Sequence, residues 1–231
     1  MTSSKPYNKP KQYIQGWVEF YKLKFKVTPD VLIPRPETEL LVDEVLNFCT
    51  LNPIPCTLLD LGTGAGNIAI SIAKNSKDVK VIATDISQKA LKVAKQNAKL
   101  HGVDKKIIFL KSNLLSVWQQ KKRSFNLLPD IIVTNLPYIP SARIPYLDSS
   151  VKDFEPHVAL DGGEDGFKLY RKLFTQISRL YLESVKLIIG EIDYTHGELA
   201  VNEALKYFPN AEVEVKTDLA HKQRILKITF P

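Results

Sequence analysis

Apolar positions along the chain occur in short runs, and windows with helical spacing separate most of these runs. The strand-like runs lie at Thr57–Leu61, Val79–Thr84, Ile107–Leu110, Asp130–Thr134, Val185–Gly190, Ala211–Val215 and Arg224–Phe230. The helical windows lie at Gly66–Lys74, Ser87–Leu100, Gly166–Leu182 and Thr195–Tyr207. Several runs are continuously apolar, which is typical of parallel strands covered on both faces. The pattern predicts a doubly wound α/β fold that binds its ligand at the carboxyl ends of the strands.

The first part of the chain departs from this alternation. Residues 1–11 are polar and rich in lysine and proline, which predicts a flexible basic arm. Aromatic and β-branched runs over Trp17–Ile33 predict a small β-hairpin, and helical spacing resumes over Thr38–Phe48. The chain is therefore expected to comprise an arm, a hairpin and linker region, and a main domain, at residues 1–11, 12–36 and 37–231.

Composition narrows the class of protein. The 231 residues are 44% hydrophobic and 25% charged, as in ordinary globular proteins, and no apolar run is long enough to cross a membrane. The first residues lack the apolar segment of a secretory signal. Cys49 and Cys56 are too few for a disulfide scaffold or a four-ligand zinc site. We therefore expect no metal, no membrane contact and a cytoplasmic location.

The formal net charge of +7 raises the question of a nucleic-acid partner. Six lysines and Glu19 give residues 1–26 a net charge of +5, so the remaining 205 residues carry only +2. The excess charge indicates either a solvated arm or an arm that contacts the ribosome or RNA.

Residues 58–66 read Leu-Leu-Asp-Leu-Gly-Thr-Gly-Ala-Gly and directly precede a helical window. Glycines at such a junction let the backbone approach a ligand, and the start of the helix offers free N–H groups. A nicotinamide fingerprint would need glycine at the position of Asn67. The segment instead resembles motif I of S-adenosylmethionine-dependent methyltransferases, although a purely structural glycine turn stays open. The resemblance implies S-adenosyl-L-methionine as the cofactor, bound by Gly62, Thr63, Gly64, Ala65 and Gly66.

Positions after the next two strands complete the predicted cofactor site. Asp85 ends the strand after the glycine segment, where a carboxylate can accept both ribose hydroxyls. Asn113 and Leu114 follow the third strand of the main domain, near the expected place of the adenine. The Asn113 side-chain oxygen can accept from the exocyclic amine. A simple turn asparagine explains Asn113 equally well.

The turn Asn135-Leu136-Pro137-Tyr138 resembles the (Asp/Asn/Ser)-Pro-Pro-(Tyr/Phe/Trp) motif of methyltransferases that modify a planar nitrogen. Such a nitrogen has a delocalised lone pair, so acceptors on its N–H groups help to draw it toward tetrahedral geometry. The Asn135 side-chain oxygen and the Leu136 carbonyl can supply two acceptors. Pro137 would hold the turn, and Tyr138 would offer a flat face for stacking. We predict that these four residues are catalytic and bind the substrate, and that Asn135 also touches the cofactor.

A longer resemblance spans roughly Gln12 to Phe230. Its segments include Val31–Glu39, Phe154–Pro156, Gly162–Gly163, Asp165–Gly166, Tyr170–Arg171, Glu191 and Asp218–Arg224. With the turn at 135–138, they are similar to the HemK-type family, which methylates the glutamine of translation release factors. The resemblance implies a class I methyltransferase with a seven-stranded, mostly parallel sheet, a terminal antiparallel hairpin and a small N-terminal hairpin appendage.

The same resemblance implies a substrate, the side-chain amide nitrogen of the glutamine in the Gly-Gly-Gln motif of a peptide chain release factor. Arg35 and Glu37 would edge the substrate pocket or form a structural ion pair. Family members usually carry an N-terminal helical domain, and only about a dozen residues precede the match here. Either the basic arm replaces part of that contact, or docking is weaker or uses another surface.

One charge pattern bears on the substrate independently. Six carboxylates and one lysine give the segment from Asp148 to Asp165 a net charge of −5. This segment follows the turn at 135–138, which we call the reacting turn. We therefore expect the segment to rim the pocket, attract a basic protein loop and repel a nucleic-acid backbone. A solvated loop is the alternative explanation.

Three functions are compatible with these patterns. The first is glutamine methylation of a release factor. The second is methylation of the exocyclic amine of adenine in RNA or DNA, since RNA adenine dimethylases carry a tetrapeptide similar to the turn at 135–138. The third is a non-catalytic S-adenosylmethionine-binding module whose arm binds the ribosome or RNA.

Overall fold

The computed structural model describes residues 8–53, 55–119, 128–180 and 183–231, so residues 1–7 of the predicted arm lie outside the described residues. The helices are α1 (Lys11–Gln15), α2 (Glu39–Leu51), α3 (Asn67–Asn75), α4 (Gln88–Leu100), α5 (Ser116–Gln119), α6 (Ser149–Lys152), α7 (Lys168–Leu180) and α8 (Gly197–Tyr207). The strands are β1 (Trp17–Phe20), β2 (Leu23–Lys26), β3 (Cys56–Leu61), β4 (Val79–Asp85), β5 (Ile107–Lys111), β6 (Ile131–Thr134), β7 (Ile139–Pro140), β8 (Asp161–Gly163), β9 (Leu187–Glu191), β10 (Glu212–Thr217) and β11 (Gln223–Thr229). Short 3₁₀ helices lie at Pro36–Thr38, Ser141–Tyr146 and His157–Ala159.

A seven-stranded sheet forms the centre of the molecule, in the order β10-β11-β9-β6-β3-β4-β5. The strands from β5 to β9 in this order pair in parallel, whereas β11 runs antiparallel to both β9 and β10. The predicted fold class is confirmed, including the terminal antiparallel hairpin. The chain reverses its direction of winding between β3 and β6, and such a switch point is where open α/β sheets bind ligands.

Helices cover both faces of the sheet, which explains the continuous apolar runs. Successive residues of β3 point to opposite faces, so Leu58 joins the core beneath α2 and α3 while Leu59 joins the core beneath α7 and α8. The strand β6 is buried throughout, whereas the edge strand β10 is half-buried and exposed in turn. The central strands are therefore fixed in register by burial on both sides.

The N-terminal appendage is a hairpin of β1 and β2, and it packs on the main domain. Phe20 and Phe25 are fully buried in the core that α2 and α3 share with the sheet. The Asn97 side chain of α4 accepts from the Lys26 amide at 2.8 Å and donates to the Ala65 carbonyl at 2.8 Å. One buried amide therefore ties the hairpin to the glycine segment.

The short strands β7 and β8 pair in parallel and form a separate two-stranded sheet. This pairing brings the segment around Gly162 back against the turn that follows β6. No helix among the described residues has the length and apolarity needed to cross a membrane. The division of the chain at residues 1–11, 12–36 and 37–231 stays a prediction.

Candidate active site

A cavity of about 350 Å³ opens at the carboxyl ends of β3, β4 and β6, a volume in the range of small-molecule sites. Its wall contains eleven of the residues predicted from the sequence, namely Arg35, Gly62, Thr63, Gly64, Ala65, Asp85, Asn113, Leu114, Asn135, Leu136 and Pro137. Three predicted residues, Gly66, Glu37 and Tyr138, lie outside the wall. The fold thus brings the glycine segment and the turn at 135–138 to one cavity.

Gly66 shapes the start of α3 and does not face the cavity. Its φ of +83° is unfavourable for residues with a side chain, and a Cβ there would come within 2.9 Å of Ile70 Cδ1 and 3.1 Å of Ala94 Cβ. Because α3 and α4 meet at this point, glycine permits both the turn and the close packing of the two helices.

A buried carboxylate holds the glycine segment from behind. Asp60 Oδ2 accepts from Thr63 Oγ1 at 2.7 Å and from the Ala69 amide at 3.3 Å, while Asp60 Oδ1 has no partner among the described residues. Burial raises the pKa of Asp60 to about 7, and the hydrogen bonds from Thr63 and Ala69 oppose that rise. Asp60 therefore orients the loop from outside the cavity wall.

Asp85 occupies the position expected for a ribose ligand. Its Oδ2 accepts from the Gly64 amide at 2.9 Å and its Oδ1 from the Ser87 amide at 2.8 Å. Burial raises the pKa of Asp85, and these backbone N–H groups oppose the rise. Each oxygen keeps a lone pair, so the carboxylate can still accept from two hydroxyls. Ile86 and Leu114 are apolar neighbours of Asp85 in the wall. A carboxylate acceptor beside apolar side chains fits the ribose and adenine of an adenosyl group.

At the adenine end of the cavity, the predicted Asn113 oxygen already has a partner. Lys172 Nζ of α7 donates to Asn113 Oδ1 at 3.1 Å. The Leu114 carbonyl accepts from Ser112 Oγ at 2.6 Å, in a turn where Leu114 has a φ of +52°. Asn113 can therefore accept from an adenine amine only through its second lone pair.

The reacting turn is held by two residues to which the sequence analysis assigned no role in the site. Asn135 Nδ2 donates to Thr38 Oγ1 at 3.1 Å and to Glu191 Oε2 at 3.0 Å. No described residue donates to Asn135 Oδ1 or to the Leu136 carbonyl. Thr38 and Glu191 both lay within the resembling segments, but no spacing rule connects positions so far apart along the chain. The turn thus presents two free acceptors from its residues 135 and 136.

Tyr138 lies behind the cavity wall. Its hydroxyl donates to Glu191 Oε1 at 2.9 Å, and burial raises the pKa of this hydroxyl well above its ordinary value. Tyr138 is not part of the cavity wall, so its ring does not offer the expected stacking face there. Its contact instead supports the carboxylate that holds Asn135.

Glycines of the later resembling segment pack against the same turn. A Cβ at Gly162 would come within 2.8 Å of the Pro137 carbonyl oxygen, and a Cβ at Gly166 would overlap the Tyr138 carbonyl. Only glycine allows the backbone of this segment to approach so closely. The segment around β8 therefore buttresses the reacting turn.

Arg35 lines the entrance and forms a structural ion pair, although not with Glu37. Its guanidinium donates to Glu155 Oε1, and Glu155 Oε2 accepts from the Ile33 amide at 3.4 Å. Burial raises the pKa of Glu155, and the Arg35 charge opposes that rise. Glu37 is exposed in the 3₁₀ turn before α2. Of the two predicted edge residues, only Arg35 reaches the cavity.

The carboxylates of the predicted acidic rim do not line the cavity wall. The segment from 148 to 165 contributes only Pro156, Val158 and Ala159 to the wall. Two of its carboxylates bond elsewhere, since Asp161 accepts from Ser141 Oγ at 2.6 Å and Asp165 pairs with Arg171 at 2.6 Å. The charged groups of the wall on this side are Lys168 and Lys172 of α7. Counting charges along the chain did not show which way the side chains point.

The chain matches known methyltransferases along most of its length. A family model described as a methyltransferase domain matches residues 55–227. A protein of Clostridium acetobutylicum named release factor glutamine methyltransferase is 38% identical over 220 residues, which cover 94% of this chain and 74% of that protein. A protein of the same name from Moorella thermoacetica is 39% identical, over 93% of this chain and 73% of that protein.

The chain belongs to the release factor glutamine methyltransferase family.

Solved structures support the fold of this family member. A ribosomal protein L11 methylase of Lactobacillus delbrueckii has a TM-score of 0.59 at 22% identity, covering 88% of this chain and 83% of that one. The N-terminal domain of human METTL16, solved with S-adenosylhomocysteine, has a TM-score of 0.66 at 14% identity, covering 91% of this chain and 77% of that one. At these identities the likeness concerns the fold alone. The methyltransferase family and fold agree with S-adenosylmethionine as the cofactor.

Proposed function

We propose that this protein transfers a methyl group from S-adenosylmethionine to the side-chain amide nitrogen of the glutamine in the Gly-Gly-Gln motif of a peptide chain release factor. The observation that carries the proposal is the pair of free acceptors at Asn135 Oδ1 and the Leu136 carbonyl, in the same cavity as Asp85. A primary amide nitrogen has two hydrogens, and the two acceptors match them. Family membership supports the release factor as the partner.

In this proposal the protein acts by positioning. The cofactor, when bound by Gly62–Ala65 and Asp85, supplies an electrophilic methyl group on a sulfonium. Asn135 and Leu136 accept from the two N–H groups of the glutamine and so turn its nitrogen toward that methyl group. The bound cofactor would supply the methyl carbon for a new bond to this nitrogen, with S-adenosylhomocysteine as the leaving group, and the nitrogen would release one proton to water. Arg35 and Pro137 border the substrate side.

Two finer parts of the proposal concern the surroundings of the enzyme. Contact of the basic arm at residues 1–11 with the ribosome or RNA stays a prediction, because most of the arm lies outside the described residues. A cytoplasmic location also belongs to the proposal, since release factors act on translating ribosomes.

Transfer of a labelled methyl group tests the proposal. The protein is incubated with methyl-labelled S-adenosylmethionine and, in parallel, with a release factor, the same factor with its Gly-Gly-Gln glutamine replaced by asparagine, and purified RNA. We expect label only in the release factor that keeps its Gly-Gly-Gln glutamine, and tandem mass spectrometry should locate the label on that glutamine. Label in RNA would support adenine methylation instead, and no label in any substrate would favour a binding module.

A further inference from the structure

Glu191, the last residue of β9, is a buried carboxylate beneath the reacting turn. It is 1% exposed and forms no ion pair within the described residues. Arg224 is a nearby cation, but it is paired with Asp218 at 3.1 Å. Burying a charge without a partner ion is costly, so such a residue at the edge of an active cavity calls for a functional explanation.

The contacts of Glu191 are all with hydrogen-bond donors. Oε2 accepts from Thr38 Oγ1 at 2.6 Å and from Asn135 Nδ2 at 3.0 Å, and Oε1 accepts from the Tyr138 hydroxyl at 2.9 Å. The Tyr170 hydroxyl donates to the main-chain carbonyl of Glu191 at 2.6 Å and so fixes its backbone. Burial raises the pKa of Glu191, and the hydrogen bonds from Thr38 and Tyr138 and the charge of Arg224 oppose that rise. In its ionised form the carboxylate is acceptor-only, which suits three donors.

This arrangement determines which end of the Asn135 amide faces the cavity. Thr38 donates its single hydroxyl proton to Glu191, so it can only accept a hydrogen bond from Asn135. Both hydrogens of Asn135 Nδ2 are then used, one by Thr38 and one by Glu191. The opposite amide orientation would place Oδ1 against two acceptors. The oxygen must therefore be the end that remains free.

We propose that Glu191 is a positioning residue that, both directly and through Thr38, fixes the Asn135 side chain with its oxygen toward the substrate nitrogen. The proposal rests on the proposed function for its kinetic consequence. The proposal explains why a carboxylate without a partner cation is buried beneath the turn. Because a carboxylate only accepts hydrogen bonds, it prevents rotation of the Asn135 amide. The proposal also implies selection for a substrate nitrogen that carries hydrogens, because the site offers acceptors in place of donors.

The kinetic test compares Glu191→Gln with the wild-type protein on a release factor. The change is nearly isosteric but introduces an amide donor, so we expect kcat to fall by about 10- to 100-fold, somewhat less than for loss of a complete oriented group. The dissociation constant for S-adenosylhomocysteine should change by less than about threefold. Glu203→Gln is the matched control. Glu203 of α8 is also buried, but it pairs with Arg171 of α7 and with Lys206 of α8.

A double-mutant cycle separates positioning from general structural support. In the Asn135→Ala background, Glu191→Gln should lower the remaining rate by less than about twofold, because its effect passes through Asn135. Independent, multiplying losses would overturn the proposal, as would a wild-type kcat in Glu191→Gln. If Glu191→Gln does not fold, Thr38→Val removes the bridging hydroxyl and should show the same lack of additivity with Asn135→Ala.

Side-chain amide NMR tests the inference even if no release factor is methylated. In the wild-type protein the two Asn135 Nδ2 hydrogens should exchange slowly with solvent, and in Glu191→Gln they should exchange at least about tenfold faster, as expected when a charge-assisted bond is lost. Equal exchange in the two proteins would refute the role of Glu191. An inactive wild-type protein with protected Asn135 hydrogens would refute the proposed substrate only.

Discussion

The cavity has two halves that are built in different ways. In the cofactor half, the contacts around the glycine segment are short along the chain: Thr63 bonds Asp60 three residues away, and Gly64 bonds Asp85 21 residues away. The adenine end reaches further, since Asn113 bonds Lys172, which is 59 residues away. In the reacting half, Asn135 bonds Thr38 and Glu191, which are 97 and 56 residues away. The glycine segment and Asp85 belong to consecutive β-α units, whereas the reacting half exists only when distant parts of the domain have assembled.

This difference has a functional consequence. The cofactor half offers hydrogen-bonding groups and a shaped backbone, which bind a ligand. The reacting half offers two oriented acceptors, and orientation matters most in the transition state. Substitutions in the two halves should therefore affect different measured quantities.

Asn135→Ala should have the largest effect. It removes one of the two acceptors, so kcat should fall by about 10²- to 10³-fold, the scale for losing one positioned polar group. The dissociation constant for the cofactor should rise only modestly. Steady-state kinetics and calorimetry measure the two quantities, with the exposed Asn202→Ala on α8 as the control. An unchanged kcat would remove Asn135 from the reacting half.

Asp85→Ala should show the opposite pattern. Loss of a charged acceptor for the ribose hydroxyls should weaken cofactor binding by about 1–3 kcal/mol. At saturating cofactor, kcat should stay within a few-fold of the wild-type value. Isothermal titration checks the affinity, and the exposed Asp104→Ala in the loop before β5 is the control. A titration that shows no change would contradict the ribose role.

Arg35→Ala should act on stability through the distant pair with Glu155. The buried carboxylate would lose its cation, but Arg35 is about one-third exposed, so water offsets part of the loss. We expect the free energy of unfolding in urea to fall by about 1–2 kcal/mol. Arg35→Ala combined with Glu155→Gln should be less destabilised than Arg35→Ala alone. If the double variant is the less stable one, burial of an unpaired charge is not the cause.

Lys172→Met should have the smallest effect. It removes the hydrogen bond to Asn113 Oδ1 and frees that side chain, so cofactor affinity should weaken by about 0.5–1 kcal/mol. Lys168→Met is the matched control, because Lys168 lies one turn earlier on α7 and also lines the cavity. Equal effects of the two changes would show that general charge matters and the Asn113 contact does not.

The two halves also differ in how well they could be predicted from sequence. All seven strands of the main sheet were predicted. Central strands such as β6 are buried on both faces and leave continuous apolar runs, whereas the edge strand β10 leaves an alternating pattern. The glycine segment and Asp85 were predicted because their geometry is local. The short elements α5, α6, β7 and β8 span two to four residues, too few for a periodic pattern.

The reacting half was predicted only in part. The tetrapeptide at 135–138 was visible, but its attachment to Thr38 and Glu191 depends on tertiary contacts that no spacing expresses. The acidic rim stays a prediction, because charge along the chain does not determine side-chain direction. No carboxylate of residues 148–165 lines the cavity wall, and Asp161 and Asp165 bond Ser141 and Arg171.

A crystal structure with S-adenosylhomocysteine and a Gly-Gly-Gln peptide is the most direct test of the reacting half. We predict that the glutamine nitrogen lies within hydrogen-bond distance of Asn135 Oδ1 and the Leu136 carbonyl, on the side facing the sulfur. Glu191 should still accept from Asn135 Nδ2 in that complex. A glutamine side chain held elsewhere, or an Asn135 amide that turns its nitrogen toward the peptide, would contradict the proposed mechanism.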